Sequence, residues 1–342
     1  MANDNEDAEM GDAADPARPL LSVRMDPLSL IGTHAALAAA IKTGLWSLLH
    51  SGPHTIAECA EKRNLSPAAT ACVVEVLVKS GIAIRKGSRY QLELDLRDPE
   101  IAALAGPYEM FQRQFDHTPH LLRTGEPLAF MDESTQQRET SYRNMVGDMG
   151  RGFTVAARLL ASKLPLVPRR ILDVGCGSGV WSLELAARHP DTQVTGIDFP
   201  QVLEVFEGRA HKLGLERQIV KLPGDMYEVE LPRGPIDLVI IANVLRLESA
   251  EKAKALVARF ASAVRPGGAL LVVDAFAGGS PERELHRAVY ALYLALRTSI
   301  GRVYSPEEVI KWLREAALAE PTVIDLGSQF GALGALLSER PQ

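Results

Sequence analysis

The spacing of apolar positions changes along the chain near residue 168. Before it, Ala35, Leu37, Ala38, Ile41, Leu45, Leu48 and Leu49 recur at helical intervals and predict one strongly apolar helix. Gly52-Pro53 ends it. Thr55, with Glu58 three residues on, carries a capping-box pattern for a second helix through Leu65. Ser66-Pro67 joins a cap to a first-turn proline and starts a third helix through Lys79, which Gly81 stops. Ile82–Arg85 and Tyr90–Leu94, flanking Lys86-Gly87-Ser88, read as a β-hairpin. Two further helices, Tyr108–Thr124 and Tyr142–Leu164, flank a polar, turn-rich stretch at Asp132–Thr140. Met145, Met149 and Phe153 form an apolar stripe on the second of these. Such a stripe is more often core than ligand contact.

After residue 168, short apolar runs alternate with helical ones. Strands are predicted at 170–174, 194–197, 219–222, 237–242 and 269–274, with helices at 180–188, 201–213 and 249–264 between them. Helices near 282–297 and 305–317 precede two last strands, Pro321–Leu326 and Leu333–Ser338. This alternation argues an α/β fold with a doubly wound, largely parallel sheet. The chain divides into a tail (1–19), a helical module with a hairpin (20–105), connecting helices (106–168) and the α/β domain (169–342). A length of 342 residues accommodates that division, at ~100–200 residues per domain.

Composition changes the picture only at the start of the chain. The net charge is −6, and residues 1–16 hold Asp4, Glu6, Asp7, Glu9, Asp12 and Asp15 with no Lys or Arg, so the rest is balanced. The tail is polar and poor in apolar residues, which predicts disorder, and it lacks the basic-then-apolar order of a signal peptide. No apolar run reaches the ~18 residues of a membrane span. Cys59, Cys72 and Cys176 show no metal-ligand spacing and leave an odd thiol, which suits a reducing, cytoplasmic setting. No His/Asp cluster argues for a metal.

The chemistry centres on Ile171–Val180, in which a buried strand turns through Gly175, Gly177 and Gly179 into a helix. Glycines at such a turn let a ligand lie against bare backbone at the carboxyl edge of a parallel sheet. A dinucleotide fingerprint would place its third glycine at position 180, which is Val. Asp173 precedes the turn instead, giving D-x-G-x-G-x-G. Asp198, which ends the second strand, is placed to accept hydrogen bonds from a ribose diol or to cap the helix after it. Cys176, inside the turn, has no base partner in the sequence and reads as a small packing residue.

Asp173-x-Gly-x-Gly-x-Gly, Asp198-Phe199-Pro200, Gly224-Asp225-Met226 and Pro266-Gly267-Gly268, in that order, resemble the motifs of class I S-adenosylmethionine-dependent methyltransferases. Together with the helical module they resemble the small-molecule O-methyltransferases of plants and bacterial antibiotic pathways. The resemblance covers nearly the whole chain. It implies a Rossmann-like seven-stranded methyltransferase sheet with its last strand antiparallel, and an N-terminal winged-helix domain that forms a homodimer. S-adenosyl-L-methionine is the implied cofactor, held by Asp173, Gly175, Gly177, Gly179, Asp198, Phe199, Gly224, Asp225, Met226 and Asn243. Asp173 would approach the methionine amino group, while Asp225 and Met226 would contact the adenine. The acceptor would be a small molecule lying between the connecting helices and the segment bearing His286, Tyr290 and Tyr293.

One position departs from that family. Its members carry a His base after the fourth strand of the sheet, and here the segment reads Asn243-Val244-Leu245-Arg246-Leu247-Glu248. Arginine stays protonated and takes no proton. Arg246 therefore stabilises an acidic acceptor, or another group serves as base: Glu248, Asp274, His286, or His117 or His120 of the connecting segment. An ion pair of Arg246 with Glu248 or Glu251 is the structural alternative. Methyl transfer to a hydroxyl is the expected reaction, with C-methylation or a non-methylating reaction on the same fold left open.

A winged helix also raises DNA binding. The helix from 67 offers only Lys79, beside Glu75, and is otherwise small and apolar, so it cannot meet a polyanion. Duplex DNA mixed with the protein at low salt is expected to keep its electrophoretic mobility; a salt-sensitive shift would contradict this.

Overall fold

A computed structural model describes residues 27–92, 108–128, 134–276, 281–327, 330 and 332–342. The acidic tail lies outside the described residues, as does the end of the predicted second hairpin strand. The chain opens with α1 (Pro27–Lys42), α2 (Leu45–His50), α3 (Ile56–Arg63), α4 (Pro67–Lys79) and the antiparallel pair β1 (Ala83–Lys86) and β2 (Arg89–Leu92). The single apolar helix predicted first is thus two. Gly44, at φ 73°, breaks it between Lys42 and Leu45. Thr55 and Glu58 make both bonds of the capping box, and Ser66 accepts from the Ala69 N–H. Leu45, Leu49, Cys59, Val74 and Leu77 form the core of this module.

Next come α5 (Tyr108–Phe115), α6 (Thr118–Thr124) and the long α7 (Thr135–Lys163). The predicted helix Tyr108–Thr124 divides before Pro119, whose missing N–H is tolerated in a first turn but not in a helix interior. Helix α7 begins at Thr135, inside the stretch expected to be turn-rich. Its polar first turns are anchored from outside: Arg138 pairs with Glu248 at 3.0 Å, and Glu139 accepts the Gln201 N–H at 2.8 Å.

The remainder forms one sheet with helices on both faces: β3 (Arg170–Val174), α8 (Val180–Ala186), β4 (Gln193–Asp198), α9 (Pro200–Leu213), β5 (Ile219–Pro223), β6 (Ile236–Ala242), α10 (Ala250–Ala261), β7 (Val264–Ala275), α11 (Pro281–Ala295), α12 (Pro306–Glu315), β8 (Thr322–Ile324) and β9 (Leu333–Glu339). The strand order is β5-β4-β3-β6-β7-β9-β8, with β9 antiparallel to both its neighbours and the other pairs parallel. The Pro266-Gly267-Gly268 turn is drawn into β7, where the Gly267 N–H and the Gly268 carbonyl bond to Arg340.

Alternate residues of a strand face opposite sides, so Ile171 joins one core while Leu172 and Val174 join the other. Buried Glu184 on α8 accepts from Arg158 of α7 at 3.0 Å and from Arg209 of α9 at 2.8 Å, and so fastens the connecting helix to the sheet. The order of strands reverses direction on either side of β3, which puts the ligand crevice at its carboxyl end. Among the described residues no helix is long and apolar enough to cross a membrane.

Gly179, at φ 69°, sits where an added Cβ would come within 2.3 Å of the buried Phe206 ring. Gly214, at φ 71°, has nothing within 4 Å of that position. Gly214→Ala is therefore expected to cost only the left-handed strain, roughly 1–2 kcal/mol, and Gly179→Ala a further ~1–3 kcal/mol from overpacking. Urea midpoints measure the difference, and equal losses would contradict it.

Candidate active site

The carboxyl ends of β3, β4, β5 and β6 meet around one cavity. The turn after β3 supplies Gly175, Cys176, Gly177 and Ser178; β4 ends in Asp198 and Phe199; Gly224, Asp225 and Met226 follow β5; Asn243, Arg246 and Glu248 follow β6. Helix α7 closes the side opposite the sheet with Arg138, Tyr142, Val146 and Met149, and Arg297 completes the lining.

Asp198 holds the turn in place. One carboxylate oxygen accepts the Gly177 N–H at 2.8 Å and the other the Phe199 N–H at 2.8 Å. It is not the cap of α9: that position is Phe199, with no side-chain cap bond. Burial lifts the Asp198 carboxyl to about 6, against the pull of these two N–H donors. A carboxylate with lone pairs to spare, bare glycine backbone beside it and apolar Met226 across the cavity is a donor and acceptor set that fits an adenosyl group.

Asp173 corrects an expectation. It is 2% exposed, lies outside the cavity lining, and accepts from the Ser182 hydroxyl at 2.5 Å beneath the turn. Burial lifts its carboxyl to about 7. It supports the turn from below, through Ser182 at the start of α8. Cys176 is buried, and burial, followed by the charges of Asp198 and Asp173, keeps its thiol protonated.

A second cavity, of about 680 Å³, opens beyond Arg246. That is ample for a small organic molecule, since ligand sites run roughly 300–1,000 Å³. Its walls are largely aromatic: Phe111, Phe115, Phe153, Tyr290, Tyr293 and Phe330. His34 and His286 also line it, whereas His117 and His120 do not. The latter two stack on each other at 4.5 Å, and His120 pairs with Glu126. Met149, Phe153, Asn243, Arg246 and Tyr290 border both cavities. The apolar stripe on α7 is thus partly pocket wall.

Arg246 stands at this junction, 3% exposed. Its NH1 donates to Asn243 Oδ1 at 2.6 Å and to Asp274 Oδ1 at 2.7 Å, and its guanidinium lies over the Tyr290 ring at 4.8 Å. The Nε–H has no hydrogen-bond partner among the described residues. Its partner is therefore Asp274, neither Glu248 nor Glu251. Burial works to lower the Arg246 pKa, but its interactions with Tyr290 and Asp274 outweigh it, and the group stays cationic.

Two earlier assignments change with this. Asp274 is no base: its carboxylate is buried against Arg246 and the Ala275 N–H, away from both cavities. Asn243, expected at the cofactor, lines the first cavity, and its side-chain carbonyl accepts from Arg246 from a left-handed backbone, φ 61°. Glu248 is 1% exposed, lines only the first cavity, and is held by Arg138. Of the candidate bases only His286 borders the acceptor-sized cavity, and it does not reach the first. The sequence reading missed Arg138, Tyr142, Arg297 and His34. Tyr142 precedes Val146 by one turn in the predicted helix Tyr142–Leu164, whereas Arg138 lies in the stretch expected to be turn-rich.

A family model described as an O-methyltransferase domain matches residues 117–319, more than half of the chain. The 3-hydroxy-5-methyl-1-naphthoate 3-O-methyltransferase of Streptomyces sahachiroi is 25% identical over 306 residues, covering 85% of this chain and 88% of that one. A tetracenomycin polyketide synthesis 8-O-methyl transferase of Streptomyces glaucescens is 25% identical over 303 residues, covering 83% and 87%. The structure of human N-acetylserotonin methyltransferase in complex with S-adenosylmethionine shares the fold, with a TM-score of 0.74 at 20% identity over 97% of this chain and 100% of that one. The chain belongs to the O-methyltransferase family, and it is an S-adenosylmethionine-dependent methyltransferase.

Proposed function

We propose that the protein methylates a hydroxyl of a small aromatic natural product, which Arg246 holds as its oxyanion. The observation that carries this is a buried guanidinium, anchored at NH1 and unpartnered at Nε, standing between the two cavities. When bound, the cofactor would supply a methyl group on a sulfonium; the acceptor oxygen, its proton given up to solvent, would bond to that methyl carbon as the carbon–sulfur bond breaks and the thioether leaves. Arg246 supplies positive charge where that oxygen must be ionised, lowering the pKa of a phenol from its ordinary ~10. Asn243 and Asp274 hold the guanidinium still, and a fixed charge stabilises without reorganising. The aromatic walls orient a flat ring, and proximity supplies much of the remaining acceleration. The names of the Streptomyces relatives, which act on naphthoate and tetracenomycin rings, support an aromatic acceptor.

In this reading Asp198 takes the ribose hydroxyls and the glycine turn faces the methionine portion. The exposed Ile31 and Leu122 of the helical region support pairing of two copies there. The three free cysteines suit a cytoplasmic setting.

Arg246→Ala is expected to lower kcat about 10²–10³-fold, the scale of one lost oxyanion donor, while S-adenosylhomocysteine affinity stays within about twofold, since Arg246 is given no part in holding the cofactor. The paired variant R246Q/D274N avoids stranding the buried Asp274 and is expected to lose turnover equally. Unaltered turnover in either would remove Arg246 from the reaction.

Asp198 accepts both hydroxyls only when ionised. Cofactor affinity is therefore expected to be flat above neutrality and to fall as pH drops through about 6, approaching tenfold per unit. Asp198→Asn should weaken binding about 10–100-fold, the range for bonds to a charged group, and flatten the profile. Calorimetric titration at several pH values measures both, and a wild-type profile flat down to pH 5 would contradict the role.

A further inference from the structure

We infer that Arg246 holds two oxygens of the acceptor at once, so that the hydroxyl to be methylated stands beside a carbonyl oxygen on the same ring system. This rests on the reading of Arg246 as the partner of the acceptor oxyanion, and it names the class of acceptor within that reading.

A guanidinium carries five N–H donors in one plane, one on Nε and two on each terminal nitrogen. NH1 serves Asn243 Oδ1 at 2.6 Å and Asp274 Oδ1 at 2.7 Å, one for each of its hydrogens. Two acceptors on one nitrogen define a plane, so these bonds fix the orientation of the group as well as its place. The Tyr290 ring, 4.8 Å from the guanidinium carbon, lies against it. Neither Nε nor NH2 makes a hydrogen bond among the described residues. Their N–H groups run parallel along the edge that faces away from NH1. That edge is the fork which matches two coplanar oxygens, and a lone phenolate oxygen can face only one of its donors squarely.

The surroundings call for both donors to be met. Arg246 is 3% exposed and borders the two cavities, so a ligand that displaces solvent there must replace its hydrogen bonds. A donor of a buried cation left unpaired is costly. The larger cavity offers a flat ring system the aromatic wall of Phe115, Tyr290 and Tyr293. A ring hydroxyl next to a carbonyl brings two oxygens in the plane of that ring. In water such a hydroxyl keeps its proton in an internal hydrogen bond, which disfavours ionisation. The fork offers one N–H to each oxygen of the ionised form, and so compensates for the internal bond that is lost with the proton.

The test compares two isomers, 1-hydroxyanthraquinone, whose hydroxyl adjoins a carbonyl, and 2-hydroxyanthraquinone, whose hydroxyl has no neighbouring oxygen. Each is titrated spectrophotometrically into the full chain saturated with S-adenosylhomocysteine. The second isomer is the stronger acid in solution, so a cation that binds one oxygen would favour it. The wild type is expected to bind the first more tightly by about tenfold or more, the scale of one added bond to a charged group. Arg246→Lys, which keeps the charge and lacks the fork, is expected to lose that preference. Equal affinities in the wild type, or tighter binding of the second isomer, would overturn the inference and leave the single-oxyanion role of Arg246 standing. A preference retained in R246K would overturn it as well. Failure of the wild type to bind either isomer would overturn the placement of an aromatic acceptor at Arg246, on which the inference rests.

Discussion

A guanidinium at 3% exposure has left water, and the carboxyl edge of the sheet is arranged around that fact. Removing such a charge from solvent costs several kcal/mol unless hydrogen bonds replace its hydration. For Arg246 the replacements come from three elements: Asn243 after β6, Asp274 at the end of β7, and the Tyr290 ring of α11. Each holds the same planar group, so β6, β7 and α11 are tied at one point. The two cavities meet there because the guanidinium sits between them. A His at this position would take a proton. An Arg fixed on both sides instead contributes a stationary positive charge.

The cofactor side obeys the same rule with the sign reversed. Asp198 is half-buried and its oxygens accept from the Gly177 and Phe199 N–H groups, which pins the glycine turn to the adjacent strand. Buried Glu184 bridges α7, α8 and α9 through two arginines. That bridge fastens α7, and α7 in turn supplies Arg138, Tyr142 and Met149 to the cavity wall.

Much of this was legible in the sequence because it is local. The glycine spacing, the acid ending the second strand and the caps at Thr55 and Ser66 depend on residues within a turn of one another. The strand–helix alternation likewise required the observed sheet. The breaks at Gly44 and before Pro119 carried local signals that the apolar stripes overrode. What was not legible depends on contacts across the chain. Arg138 and Glu248 are 110 residues apart and Arg246 and Asp274 are 28 apart, and no spacing rule connects them. Asp274 therefore looked like a base because its partner is distant in sequence, and the first turns of α7 looked like a loop because their anchors lie in the segment after β6 and on α9.

The central claim is that Arg246 stabilises the acceptor as its oxyanion, whose proton has gone to solvent, without itself taking that proton. Spectrophotometric titration of a phenolic acceptor bound with S-adenosylhomocysteine addresses it directly, because phenol and phenolate absorb differently. The account predicts that the bound acceptor titrates at least about one pH unit below its value in solution, as expected beside a buried cation, and that Arg246→Ala abolishes the shift. A bound acceptor that titrates at or above its solution value in the wild type would contradict it.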